Sequence, residues 1–340
     1  MILINSTRFR DHQTPDGHPE QPARARVMSE VSQRWTASGG VVLAPRPASR
    51  AELVRVHDAG YLDKMASTAG QRLRLDADTY TSPGSYDIAL EAAGAAVMAA
   101  EYTLRTDTPA MALVRPPGHH AEAGRAMGFC LFNNVAVAAA AARAGGCERV
   151  AVIDYDVHHG NGTQWMFYDD PSVLYVSVHQ YPFYPGTGAV TETGRADGAG
   201  FTLNVPLEAG AGDGDYDRAM QRLVAPLVQA FDPQVILLSA GFDAHVRDPL
   251  GGMLVSTEGF TSLTAQVQRL ATTCCGGRLA VVTEGGYDLT ALEDCLDATV
   301  RQLADTSVVA RSAPAGDTSR IDRVLPDIQQ ALGPSWPGVF

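Results

Sequence analysis

In the run Val150-Ala151-Val152-Ile153-Asp154-Tyr155-Asp156-Val157-His158-His159-Gly160-Asn161-Gly162, a short apolar segment gives way abruptly to carboxylates, imidazoles and glycine. An apolar segment of that length without alternation reads as a strand buried on both faces, hence as part of a parallel sheet covered by helices. Polar side chains massed just beyond it mark the place where such sheets bind ligands, outside the carboxyl ends of their strands. The same arrangement recurs elsewhere. Ala110–Val114 runs into Arg115-Pro116-Pro117-Gly118-His119-His120, Val235–Leu238 into Ser239-Ala240-Gly241-Phe242-Asp243, and Leu279–Val282 into Thr283-Glu284-Gly285-Gly286-Tyr287. All of these strand ends point to one site.

Working outward, Ile2–Asn5, Val41–Ala44, Val173–His179 and Thr202–Val205 complete the expected strands. Helical patterns lie between them at Arg24–Ser38, Ser49–Ser67, Tyr86–Arg105, Asn134–Ala144, Asp215–Phe231, Ser256–Cys274 and Leu289–Ala304. Ser256 before Thr257-Glu258 is the expected N-cap of its helix. No linker is long enough to separate domains, so residues 1–304 are expected to form one α/β domain. The less regular stretch 305–340, with Thr306, Ser312, Pro314 and Asp317, is expected to pack on it as a C-terminal arm.

The chain has 340 residues, 45% hydrophobic and 19% charged, the composition of a globular protein with a sizeable core. Its 38 acidic against 26 basic residues leave a net charge of −12, and Lys64 is the sole lysine. A nucleic-acid partner is not expected, because phosphate neutralisation needs a clustered basic face. Nor is a membrane: the longest strongly apolar stretch, Val135 to Ala142, falls far below the ~18 residues that span a bilayer. Cys130, Cys147, Cys274, Cys275 and Cys295 form no C-x-x-C pair, which argues against a disulfide framework and for a reducing, cytoplasmic setting.

Asp156 and His158, two apart, project to the same side of an extended segment, and Asp243 can join them from a neighbouring strand end. Two carboxylates and one imidazole leave a divalent metal with open positions for water and substrate, the pattern of a catalytic zinc site. Oxygen and nitrogen donors tolerate iron(II) as well. For any one of these residues alone, a turn cap or a satisfied core histidine is the better explanation. Together, so many polar groups at buried strand ends need a reason.

Arg115–His120, Gly128-Phe129-Cys130, Asp154–Gly162, Ser239–Asp243 and Glu284–Tyr287 resemble, in order and spacing, the motifs of the histone deacetylase superfamily, which includes acetylpolyamine amidohydrolases. The resemblance runs from His18-Pro19-Glu20 and Arg24 to about Leu303. It implies the single-domain arginase/deacetylase fold, with a central parallel sheet of about eight strands and helices on both faces. It also implies roles. Asp156, His158 and Asp243 match the metal ligands, His119 and His120 the tandem histidines, and Tyr287 the catalytic tyrosine. Asp154 matches the partner of His119 and Asn161 that of His120, where class I enzymes carry Asp and the class II pattern is closer. Phe129 and Tyr184 match the aromatic walls of the acyl-lysine tunnel; Gly128 would leave room for the flat amide, and Gly285 and Gly286 would bring backbone close to the ligand. Potassium ions are implied at Asp154, Asp156, His158, Ser177 and Val178, and at Phe167, Asp170, Val173 and Phe201. His159 and His179 match no catalytic role and read as packed residues. His12, His57 and His245 read as surface or structural, His245 as the one nearest the pocket mouth.

The expected activity is removal of an acetyl or related acyl group from an N-acyl-lysine-like amine. An acetylpolyamine amidohydrolase is the alternative within the family, and a non-catalytic acyl- or partner-binding module the alternative outside it. Polyamine-selective class II members place an acidic gatekeeper seven residues after the last metal-binding Asp; here that position is Leu250. The bacterial polyamine enzymes also tend to carry a long insertion that narrows the cleft through dimerisation, for which Ala69–Thr81 leaves little room. Asp78 is expected at the rim, and Glu122 and Asp248 are the acidic residues that could charge the mouth. Whether the chain forms a homo-oligomer is left open.

Overall fold

The computed structural model describes residues 1–305 and 314–340; of the expected arm, Thr306 and Ser312 lie outside the described residues. An eight-stranded, wholly parallel sheet forms the centre, built from β1 (Ile2–Ile4), β2 (Val41–Leu43), β5 (Ala110–Ala112), β6 (Val150–Asp154), β7 (Val173–Gln180), β8 (Thr202–Leu207), β9 (Val235–Ala240) and β10 (Leu279–Thr283). A small antiparallel hairpin, β3 (Leu73–Arg74) and β4 (Tyr80–Thr81), stands apart from it. In space the order is β2-β1-β5-β10-β9-β6-β7-β8. The motif-bearing strands β5, β10, β9 and β6 are therefore the four central neighbours, and their carboxyl ends open on one crevice.

Both faces of the sheet are buried, which is why its strands lack alternation. Leu3, Met111, Val281, Leu238, Ile153 and Val176 face one core. That core is closed by α1 (Ala23–Ala37), α7 (Asp213–Ala219), α8 (Ala225–Phe231), α9 (Thr257–Cys275), α10 (Leu289–Ala304) and α11 (Ser319–Leu332). Ile4, Ala112, Val282, Leu237, Val152 and Tyr175 face the other, under α4 (Ser85–Thr106) and α5 (Asn134–Ala144). Ser256 caps α9 by accepting from Gly259 N at 3.0 Å.

Two expected helices are broken, each for a local reason. The segment expected as Ser49–Ser67 divides into α2 (Arg50–Leu53) and α3 (Ala59–Ala66). Between them the buried imidazole of His57 donates from Nδ1 to the Glu122 carbonyl at 3.1 Å and accepts from Asn133 N at Nε2 at 3.0 Å. That bridge pulls the chain out of helical register. The segment expected as Asp215–Phe231 carries a π-turn at Met220–Val224 between α7 and α8. Pro226 explains it, since proline lacks the N–H that Arg222 would receive in a regular helix and its ring crowds that carbonyl.

The short helix α6 (Asn161–Phe167) and α11 are further elements absent from the sequence expectation. In α11 the charged residues and Pro326 obscure a regular apolar stripe: Ile321, Leu325, Ile328 and Leu332 are all buried in the core beside the sheet. Ile328→Ala is expected to cost about 2–4 kcal/mol, as large-to-small core changes do. Urea unfolding followed by circular dichroism measures it, and a loss below half of that range would mean that α11 contributes little to the core.

Candidate active site

β5 ends early because Thr283, at the end of β10, takes over its ladder: the Thr283 hydroxyl accepts from Val114 N at 2.8 Å and donates to Val114 O at 3.0 Å. The chain beyond turns over the sheet end carrying His119 and His120. Glu284 holds that turn, accepting from Gly118 N at 2.6 Å, from His119 N at 3.1 Å and, through its other oxygen, from the Ser239 hydroxyl at 2.7 Å. Burial raises the Glu284 pKa to about 7, against the pull of His119.

Beneath these loops lies a fully buried ion cluster. Arg115 lies across the Glu20 carboxylate with two bonds of 2.7 Å, and Arg24 reaches the same carboxylate at 3.1 Å. The Arg24 guanidinium also donates to the carbonyls of Gly286, at 2.8 Å, and Glu284. Burial alone would push the Glu20 carboxyl up, but Arg115 and His12 together outweigh that and hold it well below the ordinary range. His12, expected at the surface or in the framework, belongs to this framework, with Nε2 3.5 Å from Glu20 and Nδ1 2.7 Å from the Ser85 hydroxyl.

Asp156, His158 and Asp243 come together as expected, all buried, their ligand atoms within 4.8 Å of one another. His158 Nδ1 lies 3.2 Å from Asp156 Oδ1 and 3.1 Å from Asp243 Oδ2. Backbone amides fix the carboxylates: Gly285 N donates to Asp156 Oδ2 at 2.8 Å, and Val157 N to Asp243 Oδ1 at 2.8 Å. A side chain at position 285 would run into the Asp243 carboxylate. Burial, then the charge of Asp156, raise the Asp243 pKa to about 7. Two buried carboxylates facing one imidazole carry excess negative charge that a divalent cation would neutralise, so the donor set fits zinc or another ion with a taste for N and O ligands. Among the described residues this is the single such group.

The rings of the tandem histidines are tilted 45° to one another, with centroids 4.0 Å apart, but have unlike partners. His119 Nδ1 lies 3.0 Å from Asp154 Oδ2, which also accepts from the Tyr175 hydroxyl at 3.1 Å. His120 Nδ1 lies 2.8 Å from Asn161 Oδ1. Burial disfavours charge on both rings. For His119 the carboxylates of Asp156 and Asp154 outweigh it and lift the pKa to about 10. For His120 the neighbouring His119 and His158 add to it, and the pKa falls well below 6.5.

A cavity of about 250 Å³ leads to these groups. Phe129 and Tyr184 line it with Asp78 and Leu250 towards its mouth, and His120, His158 and Tyr287 below. Phe183, which the sequence expectation passed over, also lines it and stacks on His158 at 5.4 Å with an interplanar angle of 17°. Tyr287 packs edge-on to Phe129, and Arg24 sits 5.0 Å from the centroid of its ring. Asp248 anchors the tyrosine loop, accepting from Tyr287 N at 2.6 Å and Leu250 N at 2.9 Å.

Several expectations change in detail. Gly128, at φ +55°, lines the cavity and is needed by the protein as well, since an added Cβ would collide with the His120 ring. Gly285 and Gly286 border Asp156, Asp243 and Arg24 rather than the cavity. Neither Glu122 nor Asp248 charges the mouth, since the first bonds Asn161 and Arg125 and the second bonds loop amides; Asp78 is the carboxylate that lines it. His245 lies against Thr257 and Phe260, away from the cavity lining. His159 and His179 are packed, bonded to Thr187 and Gln164 and to Ser177 and Gly188. Of the expected potassium positions, Ser177 and Val178 lie in β7 beside Asp154. Phe167 O accepts from Asp170 N at 3.0 Å, and Phe201 O from Tyr175 N at 3.0 Å.

Residues 18–303 match the histone deacetylase domain. The chain belongs to the histone deacetylase family, hydrolases of acyl amides. It is 44% identical over 303 residues to a histone deacetylase-like amidohydrolase of Pseudomonas aeruginosa, covering 87% of this chain and 79% of the relative. It is 38% identical over 339 residues to a human polyamine deacetylase, covering 95% of this chain and 50% of that protein. The crystal structure of the HDA15 HD domain superposes with a TM-score of 0.90 at 35% identity, covering 100% of this chain and 98% of that one. The eight-stranded parallel sheet expected from the motifs is the family's arginase/deacetylase architecture.

In this deacetylase, Glu20→Gln removes the one carboxylate that Arg115 and Arg24 share and leaves buried positive charge uncompensated. The expected loss is about 3–5 kcal/mol. Urea denaturation reads it directly; a change under 1 kcal/mol would show that solvent enters the cluster.

Proposed function

We propose that the protein is a zinc-dependent deacetylase acting on N-acyl-lysine-like amines, and that the cavity described above is its active site. The observation that carries this reading is the joint placement of His120, His158 and Tyr287 at the base of an aromatic-walled cavity of about 250 Å³. Asp156, His158 and Asp243 would hold the metal. When bound, the ion supplies Lewis acidity, acidifying water and polarising the scissile carbonyl.

The chain's own residues do the rest. Phe129 and Tyr184 clasp the alkyl stem of the substrate and exclude water from its amide. His120 is neutral at physiological pH, and because Nδ1 is engaged by Asn161, Nε2 is the atom that takes the proton of the attacking water. The same atom returns that proton to the leaving amine, since the C–N bond breaks only as the nitrogen is protonated. His119, held charged by Asp156 and Asp154, contributes positive potential beside the developing oxyanion. Burial keeps the Tyr287 hydroxyl protonated well above its ordinary range, so it remains a donor to that oxygen. Unlike pKa shifts on adjacent groups are how such sites separate base from electrostatic stabiliser.

Leu250, at the position where polyamine-selective members carry an acidic gatekeeper, favours an acyl-lysine-like substrate over a polyamine, with Asp78 the one carboxylate among the described residues that line the cavity. The same reading takes residues 1–304 as the catalytic domain and 305–340 as an arm packed on it, which the burial of Ile321 and Ile328 supports. It also takes potassium as a structural ion near Asp154 and near Phe167, where backbone carbonyls that accept one amide keep a second lone pair.

On zinc-loaded protein, kcat/KM for an acetyl-lysine peptide is expected to exceed that for N-acetylputrescine and N8-acetylspermidine, with no turnover after chelation. Preference for the polyamines would overturn the role given to Leu250. Tyr287→Phe is expected to lower kcat by roughly 10²–10³ while zinc content stays stoichiometric, and normal turnover would remove the tyrosine from the mechanism. Asp243→Ala is expected to abolish zinc retention on dialysis, measured by atomic emission; full retention would exclude it as a ligand.

A further inference from the structure

His120 needs a bare Nε2 to act as base, and therefore a proton on Nδ1. Its Nδ1 partner is an asparagine, Asn161, and an amide is an ambiguous partner, with an acceptor on one arm and donors on the other. Rotated by half a turn, Asn161 would present Nδ2 to His120 Nδ1. The ring proton would then sit on Nε2, on the very atom that must accept one. A carboxylate at position 161 would raise no such ambiguity.

Glu122 removes it. Its Oε1 accepts from Asn161 Nδ2 at 2.8 Å, and the Met127 sulfur, also an acceptor, lies 3.4 Å from the same nitrogen. In the flipped arrangement Asn161 Oδ1 would face a carboxylate oxygen and a thioether, with no hydrogen between them. Glu122 is itself held from both ends. Arg125 donates to Oε1 at 2.9 Å, and the Glu122 carbonyl accepts from His57 Nδ1 at 3.1 Å. The His57 ring is tied in turn to Asn133 N, so the backbone under Glu122 is fixed from within the fold.

We propose that Glu122 is a positioning residue of the reaction: it locks the Asn161 amide and thereby holds His120 in the Nδ1–H tautomer that leaves Nε2 free. The proposal rests on the reading of His120 as the base. In effect, the carboxylate that could sit directly on the histidine is moved one hydrogen bond outward, to a residue paired with a surface arginine.

A double-mutant cycle on the zinc-loaded enzyme with an acetyl-lysine peptide tests it. Glu122→Leu is expected to lower kcat about tenfold or more with KM within about twofold, the size of effect that partners of site residues show. Glu122→Gln is expected to recover most of that loss, because its amide oxygen can take the same bond. In the Asn161→Asp background, Glu122→Leu is expected not to lower kcat, since a carboxylate accepts from Nδ1 in either orientation. An equal loss in both backgrounds would reduce Glu122 to a structural residue and overturn the proposal. The ¹⁵N shifts of the His120 ring give a readout independent of turnover: Nδ1–H in the wild type, with Nε2–H gaining in Glu122→Leu. Unchanged shifts would overturn the proposal; changed shifts in a protein without deacetylase activity would overturn the base assignment and leave the tautomer lock standing.

Discussion

One carboxylate, that of Glu20, ties together the two loops on which the site depends. Arg115 begins the histidine loop, and Arg24 grips the backbone of the tyrosine loop at Glu284 and Gly286. Both guanidiniums meet Glu20 in a region closed to solvent. As a source of stability such a cluster is poor, because desolvating the ions costs about as much as pairing them returns. Its consequence is register: the histidines and the tyrosine, 168 residues apart along the chain from His119 to Tyr287, are referred to one point. Movement of either loop alone would strand a buried charge.

The strand order makes that arrangement reachable. β9 and β10 come late in the chain yet lie between β5 and β6. The proposed ligand set therefore takes Asp156 and His158 from the end of β6 and Asp243 from its neighbour β9, while β10 delivers Gly285 against both carboxylates. Short parallel strands place these groups with little freedom, since each loop starts from a carbon fixed by the sheet. Glu284 extends the same logic sideways, carrying a carboxylate from the end of β10 to the backbone of the loop after β5.

The central sheet was legible because its strands are apolar on both faces, and every expected strand is present to within a few residues. The convergence of the candidate site residues was legible because they cluster at strand ends, where chain position and spatial position coincide. What the sequence concealed depends on contacts between distant segments. His57 breaks a helix by bonding Glu122 and Asn133, a partnership that no local pattern announces. Asp248 looks like a free acidic group until the tyrosine loop folds onto it. Phe183, beside Tyr184, could have been suspected from the aromatic run Tyr181-Pro182-Phe183-Tyr184, but its stacking on His158 follows from the loop's path. In α11 the apolar spacing of Ile321, Leu325, Ile328 and Leu332 was present all along, masked by charge and by Pro326.

The two adjacent histidines show how partners, rather than residue type, divide chemical labour. Each ring is buried, each offers Nδ1 to an oxygen at about 3 Å, and the rings are in contact. His119, beside the carboxylates of Asp156 and Asp154, is held charged; His120, buried against His119 and His158 with only an amide on Nδ1, is held neutral. The charge on the first reinforces the neutrality of the second, because two imidazolium ions 4.0 Å apart would repel. An aspartate at position 161 would weaken this contrast by giving both rings a reason to hold a proton. The amide preserves the contrast but admits two orientations, so an outer carboxylate becomes necessary to choose between them. Glu122, Asn161 and the histidine pair thus form one device, in which charge kept at a distance sets a tautomer without supplying the charge itself.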